Sequence, residues 1–191
     1  NGIEGEVIGV AMDGLGYGTD GRLWGGEFFV VGFAQAERVA HLEYTPMPGG
    51  TKAIREPWRM AAIHLRHALG DEAFDLNLDF ARRMDRSAYA ALLQMAERGV
   101  NSPETSSMGR LFDAVASLAG LRDVARYEGQ AAIELEMAAD ESQRSGYEFD
   151  FSGEIIKPSP VIRGVVVDLL SRVPTPVIAA MRTLQGQSTS N

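Results

Sequence analysis

The first residue with chemical promise is Asp13, which ends a short apolar run and opens the stretch Asp13-Gly-Leu-Gly-Tyr-Gly-Thr-Asp-Gly21. A carboxylate where a strand ends often serves a ligand or a reaction, and it equally often closes an Asx turn. Gly16, Gly18 and Gly21 have the spacing of a dinucleotide fingerprint, but that fingerprint needs a helix after its last glycine. Here a strand-like run, Leu23 to Ala34, follows instead. A calcium loop starting at Asp13 fails too, because Leu15 and Tyr17 stand where oxygen ligands are required. The reading that survives is strand, glycine loop, strand. Such a loop can turn its N–H groups toward a phosphate, or it can simply close a long hairpin.

Asp113 follows the apolar Phe112 inside a strongly helical segment. A carboxylate at the border of a buried stripe needs a partner, and Arg110 one turn earlier or a ligand hydroxyl would serve. His64 and His67 are three apart on a helix, a spacing less suited to zinc than four with a glutamate between, and no third ligand is near. His41 reads as a strand residue, and Glu134, Glu136, Asp140 and Glu141 as a solvated acidic helix edge. No serine sits in a nucleophile elbow.

The elements that would position these groups are β-rich first and helix-rich later. Strands are expected at Glu6–Met12, Leu23–Ala34 and Arg38–Tyr44, joined as an antiparallel meander by short connections. In the middle strand Phe28 and Val30 face one way and Phe29 and Val31 the other, so both faces call for helical cover. After the turn at Pro46–Gly50, a helix is expected from Pro57 to Gly70, then helices at Asp71–Met84 and Ser87–Arg98, and a loop at Asn101–Ser107. Met108, Leu111, Phe112, Val115, Ala116 and Ala119 form the stripe of a helix running from Ser107 to Leu118, with Gly120 at its exit. Further helices are expected at Gln130–Ala139, at Val161–Ser171 and after Pro174, and a half-buried strand through Tyr147, Phe149 and Phe151. One domain over residues 1–184 and a polar tail over 185–191 complete the plan.

Composition narrows the function. With 191 residues, 45% apolar and 23% charged, the chain can bury a sizeable core and is neither disordered nor fibrous. A net charge of −8 repels phosphate backbones, so no nucleic-acid partner is expected. No run is long and apolar enough to span a bilayer and no signal-peptide pattern opens the chain, so no membrane partner is expected and a cytoplasmic location is. Cysteine is absent, so there is no disulfide, no thiolate zinc site and no internal cysteine nucleophile.

Six strings in order, Gly9-Val-Ala-Met-Asp-Gly-Leu-Gly-Tyr-Gly18, Asp20-Gly-Arg-Leu-Trp-Gly-Gly-Glu27, Pro48-Gly-Gly50, Ile54-Arg-Glu-Pro-Trp-Arg-Met60, Ser107-Met-Gly-Arg-Leu-Phe-Asp-Ala-Val-Ala116 and Tyr127-Glu-Gly-Gln-Ala-Ala132, resemble the carbamoyltransferases of hydrogenase maturation, the HypF family. The resemblance runs from about Gly5 to Arg182 and implies the interior of the family's threonylcarbamoyl-transferase-like domain. The expected fold is α/β, a β-meander packed with helices within an actin and sugar-kinase-like (ASKHA) domain. The family's His-rich metal helix would precede Asn1, and its Ser-Gly-Gly nucleotide loop and second metal aspartate would follow Asn191, so an excised fragment with an incomplete active site is expected.

Carried over position by position, the resemblance makes Asp13 a metal-ligating aspartate, for iron or zinc in the intact domain. Gly14, Gly16, Tyr17 and Gly18 become a phosphate-side loop, and Asp113 and Gly129 the contacts to ribose and adenine. The implied cofactors are ATP and the carbamoyl adenylate made from it and carbamoyl phosphate. The implied partner is a maturation protein whose C-terminal cysteine accepts the carbamoyl group. A docking module for that partner and an ATP-phosphotransferase of the same broad fold are the alternatives. Apolar sheet surface left open in a fragment would favour pairing between copies.

Overall fold

The computed structural model describes residues 5–143 and 146–180. A curled seven-stranded sheet is covered by helices that carry the core. The strands are β1 (Val7–Tyr17), β2 (Leu23–Val31), β3 (Ala36–Leu42), β4 (Thr45–Pro46), β5 (Glu104–Thr105), β6 (Asp150–Ser152) and β7 (Ile155–Lys157). The helices are α1 (Thr51–Arg55), α2 (Trp58–Leu69), α3 (Asp79–Arg83), α4 (Arg86–Glu97), α5 (Met108–Leu118), α6 (Gln130–Ala138), α7 (Ser159–Leu170) and α8 (Thr175–Ala179).

The first three strands form the expected antiparallel meander. The whole sheet is more than a meander. Its order is β4-β5-β2-β3-β7-β6 with β1 paired to β2, and the β2–β5 and β3–β7 pairings are parallel. Parallel neighbours arise because the helices between β4 and β5, and again between β5 and β6, carry the chain back to the sheet as crossovers. β5 is only two residues long and falls in the stretch expected to be a loop.

α2 and α5 form the centre of the core. Met60, Ala61, Ala62 and Leu65 of α2 are fully buried, as are Ala114, Val115 and Ala116 of α5. Gly70 ends α2 with φ of 81°, a conformation that glycine adopts without strain. The sheet is covered less evenly than the sequence suggests. Gly25, Gly26 and Glu27 of β2 are buried, while Phe28 to Val31 are only partly so, and Ile8, Val10 and Met12 of β1 are exposed. α5 reaches only the end of the meander where β2 begins, and its neighbours there are β1 and β2.

Several boundaries differ from expectation for local reasons. The helix expected at Asp71–Met84 is a 3-10 turn over Asp71–Asp75 and then α3, because Leu76 and Leu78 take extended conformations and Leu78 is buried instead of exposed on a helix surface. The strand expected through Tyr147 is confined to β6. The Tyr147 ring lies on α7 at Gly164, where a Cβ would be 2.5 Å from it, and its hydroxyl donates to Asp168 at 2.6 Å. Glu134 is not merely solvated, since it accepts both arms of Arg122 at 2.8 and 2.6 Å. α7 begins at Ser159, so Pro160 lies within its first turn and not ahead of it. The expected polar tail at 185–191 lies outside the described residues.

Candidate functional site

The glycine-rich start of the chain is a strand with a bulge in it. Met12 pairs with Gly26 and Gly16 with Trp24, so Asp13, Gly14 and Leu15 stand opposite the single residue Gly25. Extra residues on one strand bend it and re-aim what it carries. The bend turns the Asp13–Gly14 backbone toward the N-terminus of α5. Ser107, the N-cap of α5, places its Oγ 2.8 Å from both the Asp13 and Gly14 carbonyl oxygens and accepts from Arg110 N. Close approach explains the glycines. A Cβ on Gly25 would lie 2.4 Å from Asp13 O, and one on Gly109 would lie 2.8 Å from Gly14 Cα.

Behind this junction sits a buried charge cluster. Arg110 and Asp113 are each 2% exposed, with Arg110 Nη2 2.8 Å from Asp113 Oδ2. The contact is too oblique for a hydrogen bond, and among the described residues Asp113 Oδ2, Arg110 Nε and Arg110 Nη1 have no hydrogen-bond partner. Burial pushes the Asp113 carboxyl up to about 6, against the pull of Arg110 and with a further push from Glu128. Glu128 links the cluster to the bulge, because a side chain at Gly14 would meet Arg110 Nη2 at 3.9 Å and Glu128 Oε1 at 4.0 Å. Gly129 follows with φ of 79° and starts α6 in the left-handed conformation. Gln130 fixes that turn by accepting from Arg126 N at 2.7 Å and donating to Glu134 at 2.8 Å.

Gly14 and Asp113 therefore lie beside the same two groups, Arg110 and Glu128, with Asp13 and Gly129 as the chain neighbours of Gly14 and Glu128. Gly16, Tyr17 and Gly18 do not join them through these contacts. Gly16 and Tyr17 continue β1, and at about 3.3 Å per strand residue Gly18 is roughly 13 Å further on. Gly18 lies against the indole of Trp24, where a Cβ would be 2.1 Å from Nε1. Trp24 and Tyr44 donate to Asp20 at 2.9 and 2.6 Å, and Arg38 stacks over Trp24 at 4.1 Å. These residues close the hairpin as a clasp.

Asp13 is exposed, and its Oδ1 accepts from its neighbour Gly14 N at 2.6 Å, one residue short of the i+2 contact that defines an Asx turn. It can offer one carboxylate to a cation. Among the described residues no three His, Asp or Glu side chains come together as a metal site, so Asp13 alone does not make one here. His64 is buried, and desolvation lowers it to about 3, so it is a neutral core histidine.

Sequence reasoning passed over Ser106, Ser107, Glu27 and Glu128 and considered Arg110 only as a counter-ion. A glutamate inside the strand Leu23–Val31 and a serine directly before an apolar helical stripe were the available signals.

A glycine bulge on an edge strand, seated on the capped end of a buried helix, is set within a sheet of mixed parallel and antiparallel strands. The chain belongs to the carbamoyltransferase Kae1-like domain family, whose second subdomain it matches over residues 9–185. Among individual proteins, it is 44% identical over 141 residues to carbamoyltransferase HypF2 of Cupriavidus necator, covering 73% of this chain and 17% of that protein. A HypF homolog of the same organism is 45% identical over 135 residues, 70% of this chain and 34% of that one. The crystal structure of full-length HypF in its phosphate- and nucleotide-bound form superposes with a TM-score of 0.82 at 37% identity, covering 93% of this chain and 28% of that chain. HypF of T. kodakarensis gives 0.77 at 32% identity, with 91% and 24% covered. These matches establish the mixed α/β fold as that of the HypF Kae1-like domain, as the ASKHA expectation required. The chain spans about a sixth to a third of the length of these curated relatives.

Proposed function

We propose that this unit forms one wall of the adenylate site of a carbamoyltransferase. The observation that carries the reading is that Gly14 of the bulge and Asp113 lie beside the same two groups, Arg110 and Glu128, with the Gly129 turn next in the chain. The relative solved with phosphate and nucleotide bound has the same fold at 37% identity, which supports it.

Each group has a task in this reading. Asp113, once ionised, accepts hydrogen bonds from ribose hydroxyls, which supply the partners its Oδ2 lacks among the described residues. Arg110 holds that carboxylate charged against its burial. Bare backbone at Gly14 lets the phosphate of an adenylate approach, and the positive end of α5 lies beside it. The left-handed turn at Gly129 removes a side chain from the edge where adenine would lie.

The reaction is acyl transfer to an external nucleophile. The acceptor's cysteine thiolate attacks the carbamoyl carbon, a C–S bond forms, the bond from that carbon to the phosphate oxygen breaks, and AMP leaves with the electron pair. The product is a thiocarbamate on the C-terminal cysteine of a hydrogenase maturation partner, the precursor of a cyanide ligand. The absence of cysteine from this chain agrees with a nucleophile supplied by the partner.

Calorimetric titration with AMP tests the reading. Binding should be measurable for the wild-type chain and lost in Asp113→Ala. Equal heats for the two proteins would remove Asp113 from the site.

A further inference from the structure

Glu27 is a buried carboxylate with no ion pair among the described residues. It is 2% exposed, lies within β2, and directs its Oε2 to the backbone N–H groups of Gly25 and Gly26 at 2.7 and 2.8 Å. Its Oε1 accepts a hydrogen bond from the Ser106 hydroxyl. Such a group costs free energy to bury unless hydrogen bonds satisfy it, and Glu27 accepts three. The location explains them. Gly25 is the one residue opposite the three-residue bulge, so the regular β1–β2 ladder is interrupted there. Two successive N–H groups at the interruption would lack acceptors, and the carboxylate supplies one for both.

The same side chain sets where the bulge is seated. Ser106 is tied to β2 by Glu27 and by a bond from its N to Leu23 O at 2.9 Å, and the next residue, Ser107, holds the Asp13 and Gly14 carbonyls while capping α5. We infer that Glu27 is the positioning residue of the site, fixing the Asp13–Leu15 bulge against the capped end of α5 through Ser106 and Ser107. It touches no ligand in this account and acts only through the backbone it holds. Its link to nucleotide affinity rests on the adenylate reading, while its link to bulge geometry does not.

The two links are separated by reading amide hydrogen exchange and AMP affinity on the same variants of this chain. In Glu27→Ala, exchange at residues 13–15 and 25–26 should accelerate by about tenfold or more while α7 amides keep their rates, since a buried acceptor for two donors is gone. Ser106→Ala removes a single bond and should give a smaller change at the same amides, so the test survives if Glu27→Ala does not fold. Glu27→Gln can accept from both glycines and donate to Ser106, and should restore the wild-type rates. AMP affinity should fall by about tenfold in Glu27→Ala and recover in Glu27→Gln. Unchanged exchange at residues 13–15, equal acceleration throughout the molecule, or a glutamine variant as damaged as the alanine one would each overturn the inference. Localised exchange changes in the variants, together with a wild-type chain that binds no AMP, would sustain the positioning role and refute the adenylate reading instead.

Discussion

The bulge lies part-way along one glycine-rich hairpin and the clasp lies at its turn, and the two use glycine for opposite purposes. At the bulge, glycines let backbone meet backbone: Gly25 faces Asp13 O, Gly26 faces Ser106 O and Gly109 faces Gly14 Cα. The polar groups there, Glu27, Ser106 and Ser107, are all nearly sealed from solvent. At the clasp, Gly18 makes room for a ring, and the polar groups around it are partly exposed, with the side chains of Arg38 and Asp20 at 22% and 32%. Buried polar networks hold one geometry tightly because each lost bond leaves an unsatisfied group, whereas exposed ion pairs exchange with water at little cost. The hairpin thus has a tightly held bulge beside the charge cluster and a more yielding turn facing solvent.

Substitutions at the bulge and at the turn should separate accordingly. The largest effect is expected for Gly25→Ala, whose methyl would meet backbone on both sides, at Asp13 O and at Ser107 Cα. It should cost about 3 kcal/mol or more by chemical denaturation, whereas Gly21→Ala, with φ of 78° and open space around it, should cost about 1 kcal/mol. Equal losses would erase the contrast between the two.

Asp113→Ala should come next, at about 3 kcal/mol, because it strands the buried Arg110 cation. The wild-type carboxyl adds a pH signature of definite sign. Its folded value of about 6 exceeds the ordinary 3.8, so the folded chain holds the proton more tightly, and ionisation erodes stability as pH rises from about 4 to about 6. AMP affinity should run the other way, falling as pH drops below about 6 and Asp113 loses its capacity to accept from ribose. Calorimetry at pH 5 and 7.5 would show this, and an affinity independent of pH would contradict it.

Ser107→Ala should cost about 1 to 2 kcal/mol, the loss of a helix cap and of the tie to β1, measured by thermal unfolding. The smallest effect belongs to the clasp. Asp20→Asn should cost about 1 kcal/mol or less. Although desolvation opposes it, hydrogen bonds from Tyr44, Arg22 N and Trp24 and the charge of Arg38 lower Asp20 to about 2. The stability it contributes is therefore present above about pH 4 and lost as pH falls toward 2. A mutant as acid-sensitive as the wild type would show that the clasp contributes nothing.

Much of this architecture was legible because it depends on local pattern. The stripe from Met108 to Ala119 and the serine before it give α5 almost to the residue, and Pro57 and Gly70 bracket α2. The bulge was not legible, since the pairing of Met12 with Gly26 and of Gly16 with Trp24 is set by neighbours distant in sequence. In sequence, Asp13 to Gly21 reads as a glycine loop after a strand ending at Met12, whereas β1 continues through the bulge to Tyr17. Parallel pairing of β5 with β2 likewise depends on a crossover of many residues for a two-residue strand, which has no periodicity of its own. Of the seven site residues the resemblance implies, Gly14 and Asp113 lie beside Arg110 and Glu128, Asp13 and Gly129 are the chain neighbours of Gly14 and Glu128, and Gly16, Tyr17 and Gly18 lie along β1 and its turn. The resemblance did not point to Arg110, Glu128 or Glu27, because their roles arise from burial and from what faces them, neither of which a string of residue types records.

The most direct test follows backbone amide signals of this chain by nuclear magnetic resonance during titration with AMP. If the bulge and the α5 cluster face one ligand, amides at residues 13–15 and 128–130 shift together along a single binding curve, and Asp113→Ala abolishes both sets of shifts. Shifts at one segment without the other, or at neither, would contradict the account.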